Sequence, residues 1–120
     1  MLNGTGAHEV IIEAPQHTWQ MADGPPEGIE HVLLAYQRRL TDLYRDARLR
    51  YVVIFRNYGA QAGASLRHPH SQLIAVPITP KRIKDKLSVA RSYYRRKERC
   101  IFCDIISQER ALGDRIVLDT

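Results

Sequence analysis

The sequence predicts an α+β fold in which an antiparallel sheet carries helices on one face. The first observation is a set of short apolar runs, rich in β-branched residues and bounded by glycine or proline, which predict strands. The second is a pair of longer segments with apolar residues every three or four positions, which predict amphipathic helices. The third is their order, since strand, helix, strand, loop, strand and helix are followed by a separate start near Cys100.

The first half of the chain predicts one strand and one long helix. His8–Glu13 is a strand because its apolar run lies between glycines and Pro15. Residues 18–26 contain Gly24, Pro25 and Pro26 and predict a connection. From Glu27 to about Ala47 the apolar spacing predicts a helix of about five turns.

Two further strands and a loop follow. Tyr51–Phe55 is a buried strand, since β-branched and aromatic residues fill it. Residues 56–67 contain two glycines and no periodicity, so they predict a loop. His70–Val76 is the next strand and ends at Pro77.

The last forty residues predict a second helix and the start of another unit. Residues 81–97 form the helix, with an apolar stripe that includes Leu87 and Tyr94. A short helix near Asp104–Gln108 and a strand at Arg115–Leu118 are expected after it.

Composition limits the classes of function. A chain of 120 residues with 44% apolar content can bury one core. No apolar run approaches the ~20 residues that span a bilayer, and the first residues lack the pattern of a signal peptide. We therefore expect no membrane partner and a cytoplasmic location.

The positive charge of the chain is local. Residues 81–99 hold nine basic and two acidic residues, a net charge of +7 against +5 for the whole chain. A solvated helix face is the favoured interpretation, because a nucleic-acid stripe would interleave more aromatic residues than Tyr93 and Tyr94. Binding of nucleic acid is not expected.

The segment Gly63–Gln72 (GASLRHPHSQ) has the highest density of chemically active residues. In an extended backbone, His68, His70 and Gln72 point to one face. One histidine can bind a metal and the other can act as a nucleophile or base near neutral pH. Upstream, Asn57, Gly59, Gly63 and Ser65 provide polar and backbone groups that can surround an anion. Solvated histidines on an edge strand are the alternative.

The motif NYGxxAGASLxHPHSQ at 57–72 resembles the active-site signature of the galactose-1-phosphate uridylyltransferase family, in the histidine-triad superfamily. The resemblance extends to HEVIIEAPQH at 8–17, RYVVIFRNYG at 50–59 and ERCIFCDII at 98–106. It implies an incomplete histidine-triad-like sheet and an internal piece of the family's enzyme. Residues 1–80 would be the later part of a first unit, 81–99 a basic connecting helix and 100–120 the start of a second unit.

The resemblance implies a role for individual residues. His70 matches the nucleophile, which takes a uridylyl group from UDP-glucose and passes it to galactose 1-phosphate in galactose metabolism. Gln72, Asn57 and the turn Gly63–Ala64–Ser65 match positions that contact the phosphates. A UDP-sugar and a hexose 1-phosphate are then the substrates, and the full-length enzyme is expected to be a homodimer.

The same resemblance implies zinc. His17 and His68 match two of four ligands at one structural site, and Cys100 and Cys103 match two of four at another. Apart from the resemblance, His17 can be a solvated loop residue, and the cysteine pair fits a metal site and plain packing equally well. Both sites are expected to be half-built in this chain, which is therefore expected to be inactive by itself.

Three alternatives remain open. An adenylyl-transferring phosphorylase of the same architecture would use the same histidine, and no residue here reads the base. A histidine-triad hydrolase would carry a further histidine where Gln72 stands, and glutamine cannot shuttle protons. A non-catalytic zinc or nucleic-acid-binding module is the third. His8 and His31 match no motif and receive no role.

Overall fold

The computed structural model describes residues 4–119, with three strands, three α-helices and one short 3₁₀ turn in that range. In chain order the elements are β1 (Ala7–Ile12), α1 (Pro26–Leu43), β2 (Tyr51–Phe55), the 3₁₀ turn (Ala60–Ala62), β3 (His70–Val76), α2 (Lys81–Lys97) and α3 (Ile101–Leu112). The predicted α+β class is confirmed. Within this range, no helix combines the length and the apolar character that crossing a membrane requires.

The three strands form one antiparallel sheet in the order β1-β3-β2, with β3 at its centre. Ile12 pairs with His70 and Phe55 pairs with Gln72, so β1 and β2 both end where β3 begins. Because side chains alternate across a strand, Ser71, Leu73 and Ala75 share one face, and His70 and Gln72 share the other. This register positions the two candidate residues of β3 on the same face of the central strand.

The core lies between α1 and the face of the sheet that carries Leu73 and Ala75, both fully buried. Leu43 of α1 packs against this cluster, together with Val52 and Ile54 of β2. Burying a leucine side chain such as Leu73 contributes about 2 kcal/mol, so these contacts hold α1 on the sheet.

The chain divides into two compact units, one up to Thr79 and one from Pro80 onward. The first holds the sheet and α1. In the second, α2 ends at Lys97 and is capped by Glu98, whose φ of 55° is in the left-handed region. The Tyr93 hydroxyl donates to Asp104 at 2.7 Å and Arg99 donates to the same carboxylate, and these bonds join α2 to α3.

Two predicted helices differ in extent from those in the structure. Helix α1 ends at Leu43 rather than near Ala47, because turns follow in which Arg45 and Asp46 donate to Asp42 and Leu43. Helix α3 spans Ile101–Leu112 and is longer than the helix expected at Asp104–Gln108.

The strand expected at Arg115–Leu118 is wrong, since residues 115–118 are turn, bend and irregular backbone. Gly113 ends α3 with a φ of 77°, and the chain then folds back. Arg115 donates to Glu109 at 2.7 Å and Arg110 donates to Asp119 at 2.9 Å, so ion pairs hold the segment to α3. An apolar run of strand composition needs a neighbouring strand, and none pairs with it among residues 4–119.

Candidate functional site

The loop between β2 and β3 is shaped by two glycines with positive φ. Gly59 has φ 77° and ψ 159°, and Gly63 has φ 81° in the left-handed region, conformations that side chains strongly disfavour. Between them, the amides of Gly63 and Ala64 donate to the carbonyls of Ala60 and Gly59. These two amides are therefore engaged inside the loop, and Asn57 and Ser65 are among the loop residues whose side chains can donate to a ligand.

This loop and the start of β3 enclose a cleft of about 520 Å³, lined by residues 56–60 and 64–70 together with Gln20. It brings together His70, His68, Asn57, Ala64 and Ser65 among the predicted site residues. Gly63, Gln72 and His17 do not line it. The cleft is thus built from residues that are close in sequence and folded around the first residue of β3.

His70 is the buried histidine of the cleft, only 4% exposed. Its Nδ1 lies 2.8 Å from the carbonyl oxygen of His68, and a carbonyl only accepts, so Nδ1–H is the donor. In the neutral ring the lone pair then belongs to Nε2. A fixed imidazole with a free Nε2 can attack an electrophile or take a proton.

His17 and His68 lie together beside the cleft. Their rings are 4.4 Å apart at an interplanar angle of 78°, and their Nδ1 atoms are 3.0 Å apart. The Nε2–H of His68 donates to the carbonyl of Ala14 at 2.6 Å, which leaves its Nδ1 lone pair directed at His17. Two nitrogens on one tetrahedral zinc lie about 3.3 Å apart, so this pair fits two ligand positions. No cluster of three or more potential ligands occurs among the described residues.

Gln72 lies on the same face of β3 as His70, two residues further along. Its Oε1 is 3.0 Å from Nε2 of His8, on the neighbouring strand β1. The imidazole N–H donates to this oxygen, and the Gln72 amide nitrogen has no partner within residues 4–119. His8, to which the sequence assigned no role, therefore fixes the orientation of the Gln72 amide.

Cys100 and Cys103 are exposed thiols at the start of α3, in the second unit. Hydrogen bonds from the backbone N–H groups of Cys103 and Phe102 hold the pKa of the Cys100 thiol below its ordinary value. The Cys103 thiol donates to Cys100, and this bond raises the pKa of Cys103. The two sulfurs are thus neighbours, and their role as zinc ligands stays a prediction.

Sequence reasoning missed a buried polar network next to His70. The side chain of Glu13 is fully buried, and both of its oxygens accept from Nε of Arg56 at 2.9–3.0 Å. Ser71 donates to the same carboxylate at 2.5 Å and is hydrogen-bonded to the Tyr36 hydroxyl. The sequence does show that two residues of opposite charge, Glu13 and Arg56, directly follow the apolar runs of β1 and β2. The meaning of this pattern depends on the strand order, which places both residues beside the start of β3.

Comparison with protein families gives one match over most of the chain. Residues 2–80 match the family model described as "Galactose-1-phosphate uridyl transferase, N-terminal domain". This range includes β1, β3 and the entire cleft.

Individual relatives agree with the family match. An ADP-glucose phosphorylase of Arabidopsis thaliana is 36% identical over 88% of the chain and 30% of its own length. A galactose-1-phosphate uridylyltransferase of Thermotoga maritima is 35% identical over 87% of the chain and 33% of its own length. The chain therefore spans about a third of the length of these relatives.

Solved structures show the same fold. The Arabidopsis thaliana ADP-glucose phosphorylase with bound ADP-glucose has a TM-score of 0.84 and 34% identity, over 89% of this chain and 35% of that one. A structure of uridylyltransferase has a TM-score of 0.81 and 31% identity, over 87% of this chain and 34% of that one. Sequence similarity and structural similarity thus identify the same group of related proteins.

Proposed function

Because the chain belongs to the galactose-1-phosphate uridyl transferase family, we propose that it carries the nucleophile of a nucleotidyltransferase. The observation that carries this proposal is the hydrogen bond from Nδ1–H of His70 to the His68 carbonyl. It fixes the ring and leaves Nε2 as the reactive atom of a buried imidazole in a cleft.

The proposed reaction has two steps. Nε2 of His70 attacks the α-phosphorus of a nucleoside diphosphate sugar, a P–N bond forms, and the bond to the leaving sugar 1-phosphate breaks. The phosphate oxygen of a second sugar 1-phosphate then attacks the same phosphorus and releases His70. Since most catalysis of phosphoryl transfer comes from positioning and charge stabilisation, Asn57 and Ser65 are proposed to hold the phosphate oxygens.

The nucleotide is proposed to be uridylyl, moved between UDP-glucose and galactose 1-phosphate. Similarity to galactose-1-phosphate uridylyltransferases supports this substrate pair. Adenylyl transfer from ADP-glucose is the second candidate, because an ADP-glucose phosphorylase is 36% identical to the chain.

Zinc is proposed as a structural group. The Nδ1 atoms of His17 and His68 present two ligands at a suitable separation, and Ala14 orients the His68 ring from behind, as outer partners of metal-binding histidines do. When bound, zinc would join His17, in the connection after β1, to His68, two residues before His70. Cys100 and Cys103 are proposed to serve a separate zinc in the same way.

Isotope exchange tests the proposed function directly. Because the chain spans about a third of the length of its relatives, protein of their full length that contains it is used. This protein is incubated with labelled glucose 1-phosphate and either UDP-glucose or ADP-glucose, and label in the nucleotide sugar is measured. The first step alone produces exchange, and the faster nucleotide identifies the group transferred. His70→Asn should reduce exchange to background. Absence of exchange with both nucleotides would refute the proposal.

A further inference from the structure

Glu13 and Arg56 form an ion pair at the edge of the cleft that the proposed reaction does not use. The Glu13 side chain is fully buried, whereas that of Arg56 is 24% exposed. A buried carboxylate is costly without a partner, and Nε of Arg56 satisfies both of its oxygens. This explains why Glu13 needs a cation, but a lysine could supply one.

The arginine retains donors that the ion pair does not need. A guanidinium has five N–H groups, and only the one at Nε bonds to Glu13. The two Nη nitrogens have no hydrogen-bond partner within residues 4–119. The guanidinium carbon also lies 5.4 Å from the Tyr58 ring centroid, so Glu13 and Tyr58 both fix its position.

Arg56 is one of the residues that line the cleft containing His70. Arg56, Tyr58 and His70 all line this cleft, and Arg67 does too. No described lining residue is acidic, and Glu13 is not among the lining residues. A planar fork of pre-positioned donors in a cleft without carboxylates suits a phosphate group.

We propose that Arg56 is a phosphate-binding residue of this cleft and that Glu13 positions it. The inference rests on the proposed function for its ligand, a nucleoside diphosphate sugar whose diphosphate the Nη groups contact. Glu13 has a second positioning role, because its backbone N–H donates to Pro69 at 3.1 Å and its carboxylate accepts from Ser71. These two bonds flank His70, so one residue holds both the nucleophile's strand and the phosphate-binding arginine.

The test uses inorganic pyrophosphate, which carries the diphosphate charge without base or sugar. NMR titration gives its Kd and the amides it perturbs. The double variant Glu13→Gln/Arg56→Met removes both charges without leaving a buried carboxylate unpaired. It should weaken binding by about tenfold, the factor expected for one lost charge-assisted hydrogen bond. Glu13→Gln alone keeps an acceptor for Nε and should bind within about threefold of wild type.

Arg50→Met is the matched control, because Arg50 precedes the same strand at its other end and does not line the cleft. Arg56→Lys keeps a positive charge for Glu13 but removes the planar fork of donors, so it should also weaken pyrophosphate binding. This variant provides the test if the double variant fails to fold. Wild-type Kd values in the double and lysine variants, or perturbed amides outside residues 56–70, would overturn the inference. If exchange occurs but does not depend on Arg56, only this inference is contradicted. If pyrophosphate binding depends on Arg56 but no exchange occurs, only the proposed function is contradicted.

Discussion

At the scale of single residues, the two histidines on either side of Pro69 differ in the nitrogen that their hydrogen bonds leave free. His68 donates through Nε2 to Ala14 and keeps the lone pair on Nδ1. His70 donates through Nδ1 to the His68 carbonyl and keeps the lone pair on Nε2. One backbone segment thus gives two identical side chains different chemistry, one suited to a metal and one to nucleophilic attack.

The hydrogen bond between His8 and Gln72 gives a prediction at this scale. If Gln72 contacts the transferred phosphoryl group, it must present its amide nitrogen, because a phosphoryl oxygen only accepts. The amide nitrogen stays available while His8 donates to Oε1. His8→Glu accepts instead of donating and should turn the amide around, lowering kcat/KM for exchange about tenfold. His8→Gln can still donate and should stay within about threefold of wild type.

The control for this prediction is a Gln72→Ala background. There the amide is absent, so His8→Glu should cause no further loss beyond a small effect of its charge. An equal loss in both backgrounds would show that the charge, and not the orientation of Gln72, is responsible.

The pairing of His17 with His68 gives a second prediction. If the two Nδ1 atoms bind zinc, His68→Asn in protein of the relatives' full length should remove the zinc of this site alone, seen as a loss of about one equivalent by elemental analysis after gel filtration. His31→Asn is the matched control, since His31 lies on α1 away from this pair. Unchanged zinc content in His68→Asn would remove His68 from the metal site.

At the scale of elements, the strands were predictable because their composition is local information. The segments predicted at Tyr51–Phe55 and His70–Val76 match β2 and β3, and His8–Glu13 differs from β1 by one residue at each end. The strand order was not predictable, because pairing β3 between β1 and β2 is a long-range property. For this reason the sequence predicted His70 and Gln72 on one face but not the partners Glu13, Arg56 and His8.

The contact between α1 and β1 depends on an ion pair whose pH dependence can be measured. Arg39 donates to both oxygens of Glu9 at 2.7 Å, and this hydrogen bonding holds the pKa of Glu9 below its ordinary value of 4.5. A carboxylate with a depressed pKa stabilises the folded state fully above its unfolded pKa and loses this contribution as pH falls through its folded pKa.

Glu9→Gln should therefore lower the free energy of unfolding by about 1 kcal/mol or less at pH 7, since the pair is partly exposed. The difference from wild type should shrink as pH falls below 4.5. Denaturant unfolding across this range measures it. Glu30→Gln, at an exposed carboxylate of α1 that has no ion pair within residues 4–119, should show no such trend. A difference that grows toward acid pH would contradict the assignment.

At the scale of the whole molecule, the proposed chemistry lies entirely in the first unit. The cleft, the buried network and the His17–His68 pair all precede Pro80. The second unit carries the basic helix α2 and the cysteine pair at the start of α3. The concentration of positive charge is thus separate in sequence from the cleft. The proposed phosphate binding depends on Arg56 in the cleft and not on the net charge of the chain.

The central claim is that Nε2 of His70 accepts a nucleotidyl group, and trapping that group on the protein tests it most directly. Protein of the relatives' full length that contains the chain is incubated with UDP-glucose or ADP-glucose. It is quenched in base, where a P–N bond to histidine survives, and its peptides are sequenced by mass spectrometry. The account predicts the nucleotidyl group on His70, loss of the group in acid, and its removal by added sugar 1-phosphate. A nucleotidyl group on any other residue, or its accumulation to wild-type yield in His70→Asn, would contradict the account.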